Sequence, residues 1–391
     1  MATLLLVNGK AIMETGIMEE IYIYIENEHI AETGPLTDAA SRFPHAEEII
    51  IPKEHIVVPG FIDIHIHGVA GADTMDATPE ALSTIAAALP SEGTTSFLAT
   101  TITQKQSNIE QALKNIADYS LKSNTPGHAE LLGIHLEGPF INAKRAGAQP
   151  KEHILKPDIA LFKRWQHFSN HQIKLVTLAP EMENGLDMIA FLKKEGVIAS
   201  IGHTDADYAA VQAAVEAGAR HVTHLFNGMK GMHHREPGTA GAALLFNELT
   251  IELIADGLHI APEMVRLILA CKGVDSTILI TDSMRAKCLK NGIYDLGGQS
   301  VSSIDGKALL PDGTLAGSLL KMNEALRNIL AFTPLSLWDA VQMVSVNPAK
   351  QLGLFSKKGS ITPSKDADIV ILDEHFEVQR SFCRGKQAFS R

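Results

Sequence analysis

The chain is expected to fold as an α/β protein, a parallel (β/α)8 TIM barrel carrying a small β-sandwich domain formed by the N- and C-terminal segments. Three observations lead there. From Pro59 to Leu352, eight short apolar runs of β type alternate with stretches of helical period. Such alternation implies βαβ units and a parallel sheet, and eight units fit the roughly 250 residues typical of that barrel. Second, residues 1–58 and 353–391 hold short alternating runs, and neither piece is long enough to bury a core alone, so the two ends are expected to pair. Third, a doubly wound open sheet wants a G-x-G-x-x-G turn after its first strand, and Ile66-His67-Gly68-Val69-Ala70-Gly71 does not supply one.

In chain order, Thr3-Leu4-Leu5-Leu6-Val7 precedes an Asn8-Gly9 hairpin signal. The runs 21–25 and 48–51 complete an expected set of small antiparallel strands. The expected barrel strands are 61–67, 95–101, 131–137, 174–179, 197–203, 222–226, 251–255 and 277–281. Helices are expected at 80–89, 108–121, 208–217, 262–272 and from about Leu319. The C-terminal strands are expected at 359–361, 367–372 and, last, around 378–382. This divides the chain into a β domain, 1–58 with 353–391, and a barrel, 59–352.

Composition narrows the function. Of 391 residues 45% are apolar, and 34 basic against 45 acidic side chains leave a net charge of −11. That balance argues against nucleic acid and anionic membranes as partners. No run approaches the roughly 18 apolar residues of a membrane span. Residues 1–10 carry no basic n-region, and three scattered cysteines, Cys271, Cys288 and Cys383, make no disulfide framework, so the cytoplasm is the expected compartment. The cysteines read as small buried apolar groups.

The 17 histidines are the unusual feature. In a barrel of this kind, active-site residues sit at the C-terminal ends of strands. Here strand one ends in His65 and His67, strand three in Glu137 and strand five in His203. Strand six carries His224, and strand eight ends in Asp282. Strands otherwise built of Val, Ile and Leu have no packing reason to finish this way. Residues two apart on a strand face the same side, so both imidazoles of His65-x-His67 can reach one ion. Imidazole with carboxylate suits Zn²⁺ or Fe²⁺ better than Mg²⁺ or Ca²⁺. His135 reads as a supporting group and His221 as structural. His29, His45, His55, His128, His153, His167, His171 and His375 read as solvated surface.

Several segments carry a resemblance: Pro59-Gly60-Phe61-Ile62-Asp63-Ile64-His65-Ile66-His67-Gly68, His135-Leu136-Glu137-Gly138-Pro139-Phe140, Gly202-His203-Thr204-Asp205-Ala206 and Thr223-His224-Leu225-Phe226-Asn227. With them go His234-Arg235-Glu236-Pro237-Gly238, Ala255-Asp256-Gly257-Leu258-His259, Ile280-Thr281-Asp282-Ser283-Met284 and Gly313-Thr314-Leu315-Ala316-Gly317-Ser318. The first resembles the opening of the amidohydrolase superfamily, and together they resemble its N-acetylglucosamine-6-phosphate deacetylases over nearly the whole chain. The resemblance implies hydrolysis of the acetamide of an amino-sugar phosphate in amino-sugar catabolism or cell-wall recycling. It implies one or two divalent metals per subunit: Glu137, His203 and His224 hold one, and His65 and His67 hold a second with Glu137 as bridge. It also implies a homodimer with the active site near the interface. Gln149 departs from the mononuclear pattern, which places a histidine near the substrate carbonyl, and a second metal would compensate.

Asp282 is the candidate general base and acid, and it also counts among the candidate metal ligands with His65, His67, Glu137, His203 and His224. Arg235, His259 and the backbone N–H groups of Asn227 and Gly228 are candidates for the phosphate, Arg235 because its fork matches phosphate geometry. The rival readings are an N-acetylgalactosamine-6-phosphate deacetylase, a hydantoinase- or dihydroorotase-like enzyme, and a silent sugar-phosphate-binding homologue. The second wants a carboxylated lysine where this chain has Glu137.

Overall fold

The computed structural model describes residues 3–37 and 39–391. Eight parallel strands stand in sequence order: Phe61–Ile66, Thr94–Thr101, Glu130–Glu137, Ile173–Leu178, Ile198–Ile201, His221–Val222, Thr250–Leu253 and Thr277–Leu279. The last meets the first through the parallel bridge of Ser283 with Ile66, and Asp282 N–H donates to the His65 carbonyl at 2.8 Å. The barrel is thus closed at its C-terminal rim, beside His65 and Asp282.

Each strand is followed by a helix. In order these are Pro79–Ala88, Gln106–Lys122, Ile159–Phe168, Gly185–Lys194, Tyr208–Ala217, Gly238–Leu245, Pro262–Lys272 and Met322–Phe332. Local chemistry starts several of them. Thr78, Asp158 and Asp207 each cap a helix by accepting backbone N–H bonds, and Pro79 and Pro262 stand where a missing N–H costs nothing. Apolar faces at helical spacing then pack on the strands. Leu161, Phe162 and Trp165 are buried, and Trp165 stacks on Phe140 with centroids 5.8 Å apart.

The strands expected at 197–203, 222–226 and 277–281 end early, at Ile201, Val222 and Leu279, because the site residues bend the chain. His203, His224 and Asp282 have φ of 47°, 27° and 49°. This left-handed region ends a strand and costs a non-glycine residue of order 1–3 kcal/mol, so surrounding bonds must enforce it. The three side chains therefore project from turns just beyond the strand ends.

The chain ends form two further sheets. One joins His29–Pro35, Ile21–Glu26, Thr3–Val7 and Glu47–Ile50. The other joins Lys386–Ser390, Val378–Cys383, Ile369–Leu372, Ile56–Pro59, Lys10–Met13 and Gly16–Glu19. The two termini meet where Ile56–Pro59 pairs antiparallel with Ile369–Leu372. Leu6, Ile23, Ile25, Val57, Ile369 and Phe382 contribute to one buried cluster.

Four details differ from expectation. Asn8-Gly9 makes no hairpin, although both residues have positive φ (71° and 72°). Thr3–Val7 and Lys10–Met13 belong to different sheets, so the turn is a sandwich corner, held by Asn8 Nδ2 donating to the Ile51 carbonyl at 2.8 Å. Glu47–Ile50 runs parallel to Thr3–Val7, because its chain returns from a long connection rather than a tight turn. Gly359–Ile361 is no strand, and the final strand is Lys386–Ser390, paired with Val378–Cys383. An unexpected three-stranded antiparallel sheet, Gly292–Leu296, Gln299–Ile304 and Lys307–Leu309, follows barrel strand eight.

Candidate functional site

Six sequence-predicted residues converge at the C-terminal mouth of the barrel, with Glu137 at their centre. Its Oε1 lies 3.0 Å from His203 Nε2, 3.1 Å from His224 Nε2 and 3.4 Å from His65 Nε2. Its Oε2 lies 3.2 Å from His67 Nε2. Asp282 Oδ1 stands 3.3 Å from His67 Nε2 and 3.5 Å from His65 Nε2. All six are buried.

The outer ring nitrogens set the orientation. His203 Nδ1 faces the Arg145 carbonyl at 2.9 Å, His224 Nδ1 the Asn227 carbonyl at 3.1 Å, and His65 Nδ1 Glu252 Oε2 at 2.9 Å. Carbonyls and carboxylates only accept, so each Nδ1 carries a proton and each neutral ring turns its Nε2 lone pair toward Glu137. Lone pairs facing carboxylate oxygens at about this range require positive charge between them. The protein groups alone express that demand as protonation. Burial opposes a charge on His65, His67 and His203, but Glu137 and its acidic neighbours outweigh it and raise all three, His67 to about 9. Against burial, His65 and its companions pull Glu137 and Asp282 down. A divalent cation fits the same demand. The donor atoms of His65, Glu137 and His224 lie within 4.8 Å of one another, as do those of His65, His67 and Asp282.

A cavity of about 180 Å³ opens onto this cluster, and Gln149, Asn227, Gly228 and His259 line it. Leu296, from the unexpected hairpin, with Thr314 and Leu315, completes the wall. His259 is held by Asp256, Nδ1 to Oδ2 at 2.6 Å, and burial is outweighed by that carboxylate, which raises the imidazole's pKa.

Other predicted contacts differ in detail. The Asn227 N–H is spent on the His224 carbonyl at 2.9 Å, so it closes a turn and is not a free donor. Gln149 donates its amide to Glu137 Oε2 at 2.7 Å and accepts the Thr103 N–H at 2.7 Å, so it orients the carboxylate. Arg235 is exposed and outside the cavity lining of its own chain. Its guanidinium meets His234 Nε2 at 2.8 Å, while Glu236 pairs with Lys230. Of the cysteines only Cys383 is buried; Cys271 and Cys288 are exposed, as short thiols on surface segments.

The supporting histidines behave as expected. His135 packs edge-on against His65 with centroids 4.4 Å apart and bonds to Thr177 Oγ1 at 2.7 Å. Burial, then the neighbouring His65, lowers it to about 3, so it is neutral. None of the eight histidines read as surface is buried. Two acids escaped the sequence reading. Glu252 joins His65 to His221 beneath the site. Glu181 ties Asn142, Thr204 and Asp205 together around His203. The only signal for Glu252 was a carboxylate inside the apolar run Thr250-Ile251-Glu252-Leu253-Ile254.

Comparison with known proteins gives the family. Residues 56–388 match the model of the amidohydrolase family. An N-acetylglucosamine-6-phosphate deacetylase of Bacillus subtilis is 50% identical, covering 100% of this chain and 98% of that one. An N-acetylgalactosamine-6-phosphate deacetylase of Escherichia coli O157:H7 is 39% identical over 85% of this chain and 88% of its own. Among solved structures, a mutant N-acetyl-D-glucosamine-6-phosphate deacetylase from Mycobacterium smegmatis, in complex with N-acetyl-D-glucosamine-6-phosphate, superposes with a TM-score of 0.93 at 30% identity, covering all of both chains. The Thermotoga maritima N-acetylglucosamine-6-phosphate deacetylase gives 0.88 at 33%, over 99% of this chain and 100% of that one. The chain belongs to the amidohydrolase family.

Proposed function

We propose that the chain hydrolyses the acetamide of N-acetyl-D-glucosamine 6-phosphate to D-glucosamine 6-phosphate and acetate, as an enzyme of amino-sugar catabolism or cell-wall recycling. The observation that carries this reading is the convergence of four imidazoles and Asp282 on Glu137. Glu137, His203 and His224 would hold one divalent cation, and His65 and His67 a second, with Glu137 shared; zinc or iron suits this donor set. When bound, such a cation lowers the pKa of water toward about 7 and polarises an amide carbonyl.

The residues of the chain supply the proton chemistry. Asp282 is ionised at neutral pH, because His65 and His67 outweigh its burial. Its carboxylate accepts the proton of the attacking water as the new C–O bond forms. It then delivers that proton to the amide nitrogen as the C–N bond breaks, since an unprotonated amine anion is too basic to leave. Gln149 and the Nδ1 contacts of His65, His203 and His224 keep the donors aimed throughout. His259, whose pKa Asp256 raises against burial, faces the cavity as a contact for the anionic sugar.

Arg235 would complete the phosphate site from the neighbouring subunit of a homodimer. An apolar groove beside its loop, lined by Met232, Leu244, Leu245 and Leu267, supports such pairing. Further parts of the reading are a cytoplasmic location and a division into a barrel, 59–352, and a β domain from both ends. Acetate release tests the function. Expected is turnover of N-acetyl-D-glucosamine 6-phosphate, lost on chelation and restored by Zn²⁺ or Fe²⁺, with little from the unphosphorylated sugar. Preference for N-acetyl-D-galactosamine 6-phosphate would assign the chain to the other hexosamine.

A further inference from the structure

Glu252 lies on barrel strand seven, Thr250–Leu253, fully buried and outside the cavity lining. Its Oε2 accepts from His65 Nδ1 at 2.9 Å and from the backbone N–H of His224 at 3.0 Å. Its Oε1 lies 3.1 Å from His221 Nε2. Its own carbonyl accepts the Leu225 N–H at 3.0 Å. One residue therefore grips a ring at the end of strand one and two successive peptides at the end of strand six.

We propose that Glu252 is a positioning residue that couples the two halves of the cation site. It sets His65 through its ring proton and His224 through its backbone. This rests on the metal reading above. A carboxylate on Nδ1 fixes the proton there, leaves Nε2 as the ligand atom and makes the ring a stronger donor. His224 has φ 27°, which a residue with a side chain avoids, and the two bonds from Glu252 hold it there. His65 belongs to the second cation's donors and His224 to the first's. Loss of Glu252 weakens both sites together, where loss of an ordinary orienting group weakens one.

The test measures zinc binding, not turnover. Wild type, Glu252→Gln and Glu252→Ala are stripped of metal, checked for folding by circular dichroism and titrated with Zn²⁺ against a competing chelator. Glutamine keeps the shape: its oxygen can accept from His65 and His224, while its NH₂ faces His221 Nε2, whose proton must move to Nδ1, so that variant loses the charge and at most the His221 bond. Alanine loses charge and bonds. The expected result is affinity weakened roughly tenfold in Glu252→Gln and toward 100-fold in Glu252→Ala, the range for such supporting groups, with both zinc sites affected. Leu253→Ala, a buried neighbour on the same strand, is the destabilised control and keeps wild-type affinity. Folded Glu252→Gln with wild-type affinity at both sites overturns the proposal, as does an equal loss in Leu253→Ala. If alanine does not fold, glutamine decides. Wild type that binds no zinc sinks the metal reading and this one with it.

Discussion

The Nε2 atoms of His203 and His224 stand 3.2 Å apart, while the Nδ1 of each ring faces a backbone carbonyl. Two imidazoles so held oppose their lone pairs, an arrangement that favours a cation lying against both. The folded state should therefore bind metal far better than the unfolded chain. Metal at 100 times its Kd adds about 2.7 kcal/mol to stability. Chelator-treated protein is expected to melt several degrees lower than protein refilled with Zn²⁺, by calorimetry. Equal melting temperatures would count against the cation site.

That site was legible in the sequence because of its period and its setting. His65-x-His67 follows the two-residue repeat of a strand, and Glu137, His203 and Asp282 each close an apolar run where a hydrophobic residue would pack as well. Glu252 was not legible. It sits inside an apolar run, and its partner His65 is 187 residues away, so only the closed barrel brings them together. The Asn8-Gly9 turn shows the same divide. The residues specify their positive φ, but which strands pair depends on the opposite end of the chain, through Ile369–Leu372.

Asp282→Asn removes the proton carrier and keeps the size of the side chain. Positioned acid–base groups contribute about 10² to 10⁴ in rate. The variant is expected to retain the metal of His203, His224 and Glu137 and to lose kcat by that order. Metal analysis and turnover on the same sample check it. Near-wild-type kcat in a metal-replete sample would remove Asp282 from this role.

His259 gives a pH dependence. Burial lowers its pKa, but the hydrogen bond and charge of Asp256 outweigh this and raise it above 6.5, while Asp256 falls below 3.8. The folded protein thus holds the His259 proton more tightly than the unfolded chain. The stabilisation from His259 is complete below about pH 6.5 and fades as pH rises through the folded value. The contribution of Asp256 is present above about pH 3.8 and fades as acid reaches its depressed value. Substrate affinity should follow the alkaline limb. Above pH 7 the phosphate is already mostly dianionic, so a rising KM reports the imidazole. Losing 1–2 kcal/mol there means roughly 5–30-fold in KM. His259→Gln is expected to start at the raised KM and to show no such limb; an unchanged limb would place the titration elsewhere.

Arg235 separates self-contained from shared sites. It is exposed on its own chain and outside the cavity, so a single subunit gives it no substrate to hold. If a second copy presents it, Arg235→Ala loses hydrogen bonds to a charged group, worth about 1.5–3 kcal/mol. KM for the phosphorylated sugar should then rise about tenfold or more, with kcat and metal content much less affected. Mixing Arg235→Ala with Asp282→Asn makes the decisive measurement. Each variant is slower by about tenfold or more at low substrate, but a mixed dimer pairs an intact Asp282 with an intact Arg235 from its neighbour. Activity at low substrate should rise on mixing. If it does not rise although sedimentation shows subunit exchange, Arg235 does not serve the partner's substrate.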